Sequence, residues 1–388
     1  MNSRPFPDSK RIINLLRIFS FPIESNRIYG LDILRAIAIF FVVLLHGTLL
    51  LPDYITTLIK PFILDGVTIF FVLSGFLIGT ILIKTLEEKF ATFKTLQSFW
   101  LKRWFRTLPA YFVVLTLLCL LSFLFDPAFK FSETIRYFFF LQNFGTQQPP
   151  FFGESWSLSV EEWFYLLVPI ILFVTKYSTR LPARKIMLFS SLLIIILVTG
   201  FRFYGYLKMD IDTIHDWQVF IQKQVITRLD GIMFGVLGAY VSYYKKGLWV
   251  KSKNICFAIG IILLVAVRFS EMNVPLKLMK IYMCVFYFSF YQLAVLFLLP
   301  VLTQIKTGKG FVFRLITTIS VTSYSIYLLH FSLVKGWIVD RFFWFGLKGI
   351  PYLLARYSFY WIFTILLSIL AYKYFERPVM DLRKKFVR

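Results

Sequence analysis

Ten separate runs of 16 to 24 predominantly apolar residues recur along the sequence, at 31–51, 62–83, 107–125, 158–175, 186–203, 225–244, 254–269, 281–301, 312–335 and 352–374. A helix of about 20 apolar residues matches the hydrocarbon core of a bilayer, so each run is an expected span. Together they use most of the 388 residues and leave no room for an additional soluble domain of normal size. Composition agrees, with 58% AVILMFWYC and 16% charged residues, against roughly 45–50% and 25% in soluble domains. A soluble globular fold is excluded. The expected fold class is all-α, a polytopic membrane helix bundle of about ten transmembrane helices, with a basic N-terminal segment 1–28, a membrane domain 29–380 and a basic tail 381–388.

The net charge of +23 would suit a nucleic-acid binder only on a folded soluble domain with a basic face, so no nucleic-acid partner is expected. In a membrane chain, Lys and Arg collect in cytosolic loops. With the N-terminus inside, inner segments hold 28 basic residues and outer segments 12, which predicts both termini in the cytosol. The remaining three, Arg35, Arg228 and Arg356, fall within spans. A cleaved leader is not expected, because the first run holds Asp32, Arg35 and His46 and no small-x-small site follows it. The apolar stretch 135–144 is too short to cross and is expected to lie in the interface or re-enter the protein.

Several chemistries lack a motif. There is no CxxC, HExxH or P-loop, and Cys119, Cys256 and Cys284 all lie inside apolar runs, so neither metal hydrolysis nor NTP-driven pumping has a foothold. No metal is expected.

Ionisable side chains inside spans cost on the order of 3 kcal/mol each and are functional candidates by default. Asp32, Arg35 and His46 interrupt LDILRAIAIFFVVLLHG. Eleven residues separate Arg35 from His46, roughly 20° from a whole number of helical turns, so both project from one face about 16 Å apart. The bland alternative is an Asp32–Arg35 pair near the inner interface. In FWLKRWFRTLPAY, Arg103 and Arg106 share a helical face at the expected cytosolic mouth. Guanidinium forks suit phosphate, although Arg and Trp also serve as interfacial anchors.

The segment ESWSLSVEEWFYLLVPI offers Trp156, Ser157, Glu161 and Glu162. Ser159 and Glu162 have capping-box spacing, whereas Glu161 and Trp156 lack so simple an explanation; a carboxylate pair there could orient an imidazole or bind sugar hydroxyls. Arg228 and Asp230, in TRLDGIMFG, could neutralise each other. His330 lies about two thirds along the ninth run, and His215 falls in a polar outer loop where solvation is expected. By the derived topology, His46, Glu161, Arg228, Asp230 and His330 lie toward the outside, and Arg35, Arg103 and Arg106 toward the inside. Such a split predicts an anion site below and a polar acceptor pocket above.

The sequence resembles the acyltransferase-3 family of bacterial membrane acyltransferases, which includes O-acetyltransferases of lipopolysaccharide and other surface polysaccharides. The resemblance rests on LDILRAIAIFFVVLLHG, DGVTIFFVLSGFLIGT, KRWFRTLP, SWSLSVEEWFYL, RLDGIMFG, SYSIYLLH and YFERPV, seven segments in family order between residues 29 and 380. It implies O-acylation of an extracytoplasmic or lipid-linked carbohydrate by acetyl-CoA or a related acyl-CoA, at a bacterial inner membrane. It also implies that His46 is the catalytic histidine, Arg35 its partner, and Arg103 with Arg106 the donor-associated pair.

The candidate site is accordingly His46, Arg35 and Glu161 for catalysis, with Arg35, Arg103 and Arg106 for the donor. Trp156, Ser157, Glu162, Arg228, Asp230 and His330 are the acceptor candidates. The hydrolase-like domain fused to some family members has no counterpart in the 14 residues after the last run, so transfer is expected to finish within the membrane part. A transporter or flippase is the competing reading, since it too places charges inside a bundle. Its usual inverted repeats are not evident, because neither the Arg-x10-His nor the Arg-x-x-Arg pattern recurs.

Overall fold

The computed structural model describes residues 27–88, 92–341 and 346–386. Nearly all of the basic segment 1–28 and the end of the tail 381–388 lie outside the described residues. Ten principal helices follow in order: α1 Tyr29–Gly47, α2 Gly66–Glu88, α3 Phe93–Phe125, α4 Trp156–Thr179, α5 Ala183–Lys208, α6 Leu229–Tyr244, α7 Lys253–Asn273, α8 Tyr287–Leu302, α9 Gly310–Leu329 and α10 Gly349–Ala371. A π-helical segment, His330–Val339, continues α9. There is no strand among the described residues. The chain is a multi-pass membrane protein built as a helical bundle.

Nine helical stretches among the described residues are long and apolar enough to cross a membrane. The tenth expected span, 225–244, is helical only as α6. Its 16 residues reach about 24 Å, short of a hydrocarbon core of about 30 Å. Helix α6 starts late because Arg228, at φ −125° and ψ −5°, is turned into the bundle, where its side chain is fully buried.

Helix α2 is the hub of the bundle, packing against α1, α4, α5, α6 and α8. Its approach to α6 is close because Gly75 and Gly235 face each other's backbone. A Cβ on Gly75 would lie 1.8 Å from Ile232 O, and one on Gly235 would lie 2.0 Å from Val72 O. Small residues at such crossings let membrane helices pack without a hydrophobic driving force between them. By contrast, α7 sits at the periphery, with Ile259, Ile262, Val265 and Phe269 exposed.

The apolar interior falls into two clusters, one around α2, α4, α5, α6 and α8, the other around the second half of α1, α3 and α9. Val67 and Phe70 of α2 pack against both. The stretch 135–144 does re-enter. After a single turn, Ile135–Phe138, it bends at Phe140, φ 55°, and delivers fully buried Gln142 and Asn143 to the start of α4. There they donate to Ser155 O at 3.3 Å and Trp156 O at 3.0 Å. Of the cysteines, Cys119 and Cys284 are buried and all three are free thiols.

Candidate active site

Between the two clusters lies a pocket of about 790 Å³, partly open to the exterior. One end is polar and cationic, with Arg35 from α1, Arg103 and Arg106 from α3, and Glu161 and Tyr165 from α4. The other end narrows between Val67 and Phe70 of α2, Ser157 and Leu158 of α4, and Tyr327 of α9.

The arginines are largely uncommitted. Asp32, the expected partner of Arg35, takes a bidentate pair from Arg27 and a 2.7 Å bond from Ser320 Oγ. Arg35 stands 3.8 Å from the same carboxylate and donates to Ser320 Oγ at 3.4 Å, so the expected i, i+3 ion pair is present but shared, with Arg27 holding the better geometry. Neither Arg103 nor Arg106 forms an ion pair among the described residues; Arg103 lies over the Phe99 ring at 6.0 Å. Glu161 accepts from Tyr165 Oη at 2.8 Å and Ser74 Oγ at 3.2 Å. Three guanidinium groups therefore share a pocket with one carboxylate that already has two hydrogen-bond donors. This excess of positive charge fits an anion such as a phosphate.

Two further expectations about α4 are corrected. Its N-cap is Ser155, after a turn at Gly153–Ser155, so Ser159 lies inside the helix and bonds back to Ser155 O. Ser159 and Glu162 are consequently no capping box; Glu162 accepts from Thr107 Oγ1 of α3 at 2.7 Å. Trp156 is buried edge-on to Phe71, outside the pocket, whereas Ser157 lines it.

Arg228 and Asp230 do not neutralise each other. Asp230 takes a 2.6 Å ion pair from fully buried Arg202 and a 3.2 Å bond from Gln292. Arg228 donates to Thr68 Oγ1 at 2.6 Å, stands 3.9 Å from Asp65, and lies 3.5 Å over the Phe288 ring. These contacts tie α5, α6, α8 and the start of α2 together, outside the pocket. Arg202 stands near the end of an apolar run, and the packing of α5 on α6 reveals its role.

The histidines form the chemically most informative contact. His46 Nδ1 is 2.7 Å from His330 Nε2, and the His46 ring stacks on Phe331 with centroids 4.4 Å apart. His330 is fully buried and His46 partly exposed. His330 Nδ1 lies 2.9 Å from Tyr327 O and 3.1 Å from Ile326 O. Carbonyls only accept, so His330 carries its proton on Nδ1 and, when neutral, presents Nε2 as an acceptor. His46 must then donate through Nδ1, which leaves its Nε2 as an unprotonated lone pair. Both carbonyls belong to the last turn of α9, and the π segment begins at His330 itself. Ile326 O also accepts the His330 backbone N–H at the end of α9, so the ring Nδ1–H shares a carbonyl whose second lone pair is free.

Glu161 thus stands with the arginines, and the partner of His46 is His330. Two contributors were not legible beforehand. Tyr327 donates to Glu154 O at 2.8 Å and accepts from Ser157 Oγ at 2.6 Å. It stands one helical turn before His330, between the pocket and the imidazole pair. Glu154 accepts from Ser332 N at 2.9 Å and Ser332 Oγ at 2.5 Å, locking the start of α4 to the π segment. An unexplained acid just before SWSLS was its only sequence signal.

A family model described as "Acyltransferase domain" matches residues 28–373, and the chain belongs to this acyltransferase-3 family. The family is one of acyltransferases, not of transporters. Peptidoglycan O-acetyltransferase OatA of Listeria monocytogenes is 34% identical over 125 residues, 28% of this chain and 20% of the relative. A Staphylococcus aureus protein named "Putative O-acetyltransferase" is 27% identical over 394 residues, 92% of this chain and 58% of the relative. Bacillus subtilis YrhL, named "Putative peptidoglycan O-acetyltransferase", is 31% identical over 181 residues, 42% of this chain and 27% of the relative. The chain thus spans less than two thirds of these relatives. No solved structure matches it.

The tautomer assignment is open to direct measurement. In protein labelled with 15N-histidine, both His46 and His330 are expected to show the Nδ1–H neutral tautomer, identified by loss of each signal in the single variants. An Nε2–H tautomer at His46 would contradict the geometry.

Proposed function

We propose that this protein is an O-acyltransferase of a bacterial inner membrane. It moves an acetyl group from a cytosolic acyl-CoA to a hydroxyl of an extracytoplasmic or lipid-linked carbohydrate. One observation carries the reading: an arginine-lined pocket ends at Tyr327, one turn from the His330 that holds His46 with a free Nε2. The names of the relatives support acetyl as the acyl group and a cell-envelope glycan as the acceptor.

In this reading Arg35, Arg103 and Arg106 hold the donor phosphates, and the pantetheine arm runs past Ser74 and Phe70 toward Tyr327. The hydroxyl oxygen attacks the thioester carbon while His46 Nε2 takes its proton. The departing thiolate takes that proton back, giving ester and free thiol. In the two-step variant Nε2 itself attacks the thioester and expels the thiolate; the hydroxyl then attacks the acyl carbon, the imidazole leaves with the bonding pair, and the hydroxyl proton ends on the thiolate as free thiol. The second route lets donor and acceptor be bound at different times. Tyr327, with its hydroxyl held by Ser157 and Glu154, is the layer the acyl group must pass in either case.

Replacing His46 by Ala or Gln is expected to abolish acetylation in protein that still inserts and binds donor; near wild-type transfer by both variants would refute the assignment. Arg103→Lys keeps the charge but loses the fork. Since a charge-assisted hydrogen bond contributes about 1.5–3 kcal/mol, donor affinity should fall by about tenfold or more. Unchanged affinity in Arg103→Ala/Arg106→Ala membranes would make these residues interfacial anchors.

The orientation follows the basic bias of 28 inner against 12 outer residues. With α6 counted as the tenth crossing, it puts both termini and the arginine end of the pocket at the cytosol. Reporter fusions near residues 90 and 215 should lie on opposite sides of the membrane; the same side for both would remove the inner and outer assignment.

A further inference from the structure

Around His46, at the end of the pocket away from Arg103, basic residues gather without enough acid to match them. Lys335 stands on the π segment, its Nζ 5.7 Å from the centre of the Phe331 ring that stacks on His46. It bonds Asp340 at 2.7 Å, but Asp340 also takes Arg356 at 2.8 Å, so two cations share one carboxylate. Glu154, the other carboxylate at this end, is committed to Ser332.

Lys223 comes to the start of α4, which Glu154 ties to the π segment, from another part of the chain. Its carbonyl accepts from Asn143 Nδ2 at 2.5 Å, and the same nitrogen donates to Trp156 O, which fixes Lys223 beside the start of α4. Among the described residues its ammonium forms no ion pair. In the proposed orientation this end faces away from the cytosol, where the positive-inside rule disfavours Lys. A half-buried lysine without a carboxylate there contributes little to topology and costs desolvation. It is well suited to an anion that arrives with a ligand.

We propose that the acceptor glycan carries an acidic group, a carboxylate or a phosphate, held by Lys223 and Lys335 so that a neighbouring hydroxyl faces His46. The inference rests on the acyltransfer reading and adds the charge class of its acceptor. Two lysines on separate segments would grip one anion from two sides, orienting the sugar as well as attracting it.

Surface glycans from cells with and without the gene provide the first test. The acetyl group lost on deletion is expected on a repeating unit that bears a carboxylate or phosphate. Acetyl loss from a neutral repeat overturns the proposal, and no acetyl loss at all refutes the underlying acyltransfer reading, with which this inference falls. Kinetics on membranes with that glycan then separate the lysines' role from a structural one. Lys223→Gln/Lys335→Gln should raise the acceptor KM by about tenfold or more and leave the donor KM unchanged, with Lys223→Arg/Lys335→Arg largely restoring it. An unchanged acceptor KM, or a parallel loss of donor binding, contradicts the assignment. Carboxyl reduction or dephosphorylation of the glycan distinguishes the two acids: whichever treatment removes the difference between the wild-type and Gln variants identifies the group.

Discussion

In the proposed mechanism the hydrogen bond between His46 Nδ1 and His330 Nε2 is the contact on which the chemistry depends, because it decides which nitrogen of His46 is free. A lone imidazole in a membrane helix has two interchangeable tautomers. Here the carbonyls of Tyr327 and Ile326 occupy His330 Nδ1, and the choice propagates through His330 to His46. The π segment begins at His330, directly after the turn of α9 that holds these two carbonyls. Glu154 then holds that segment through Ser332. His46 Nε2 is thus left free by contacts that end on backbone carbonyls, with no carboxylate bonded to either imidazole among the described residues.

The rest of the fold keeps this pair at a fixed distance from the arginines. Helix α1 carries both Arg35 and His46, and its rise sets their separation at about 16 Å. Helices α2, α4 and α9 line the space between, and Val67 and Phe70 bridge the two apolar clusters there. On the far side, Arg202, Asp230, Arg228, Asp65 and Thr68 brace α2 against α5, α6 and α8. Breaking one member of a buried pair costs about 3–5 kcal/mol, so these residues stabilise the wall of the pocket without entering it. Gly75 and Gly235 make that wall possible by letting α2 and α6 approach backbone to backbone.

Spans, fold class and the anomalous charges were legible in the sequence because lipid imposes a one-dimensional signal: apolar length, and the cost of every ionisable residue within it. Arg35 and His46 were placed on one face by helical period alone, and Arg103 and Arg106 likewise. Partners were not legible. Asp32 is shared between Arg27 and Arg35, Asp230 turned to Arg202, and Glu162 to Thr107, because each choice depends on which helices become neighbours in three dimensions. The apparent capping box at Ser159 and Glu162 failed for a local reason, the earlier start of α4 at Trp156. Glu161 was assigned to His46 from its expected side of the membrane, yet its position one turn beyond Ser157 carries it toward Tyr165 and the arginines. Nothing in the string SYSIYLLHFSL announces the contact with His46, so the role of His330 had to come from the structure.

The central claim is that His330 acts on the reaction through the tautomer of His46, and comparing acetyl transfer by His330→Leu and His330→Gln tests it most directly. The Leu variant has no acceptor for the His46 Nδ1 proton, and its transfer rate is expected to fall by about 100-fold or more. The Gln side-chain oxygen can accept that proton and should restore a substantial part of the rate. Wild-type transfer by His330→Leu, with donor binding intact, would contradict the account.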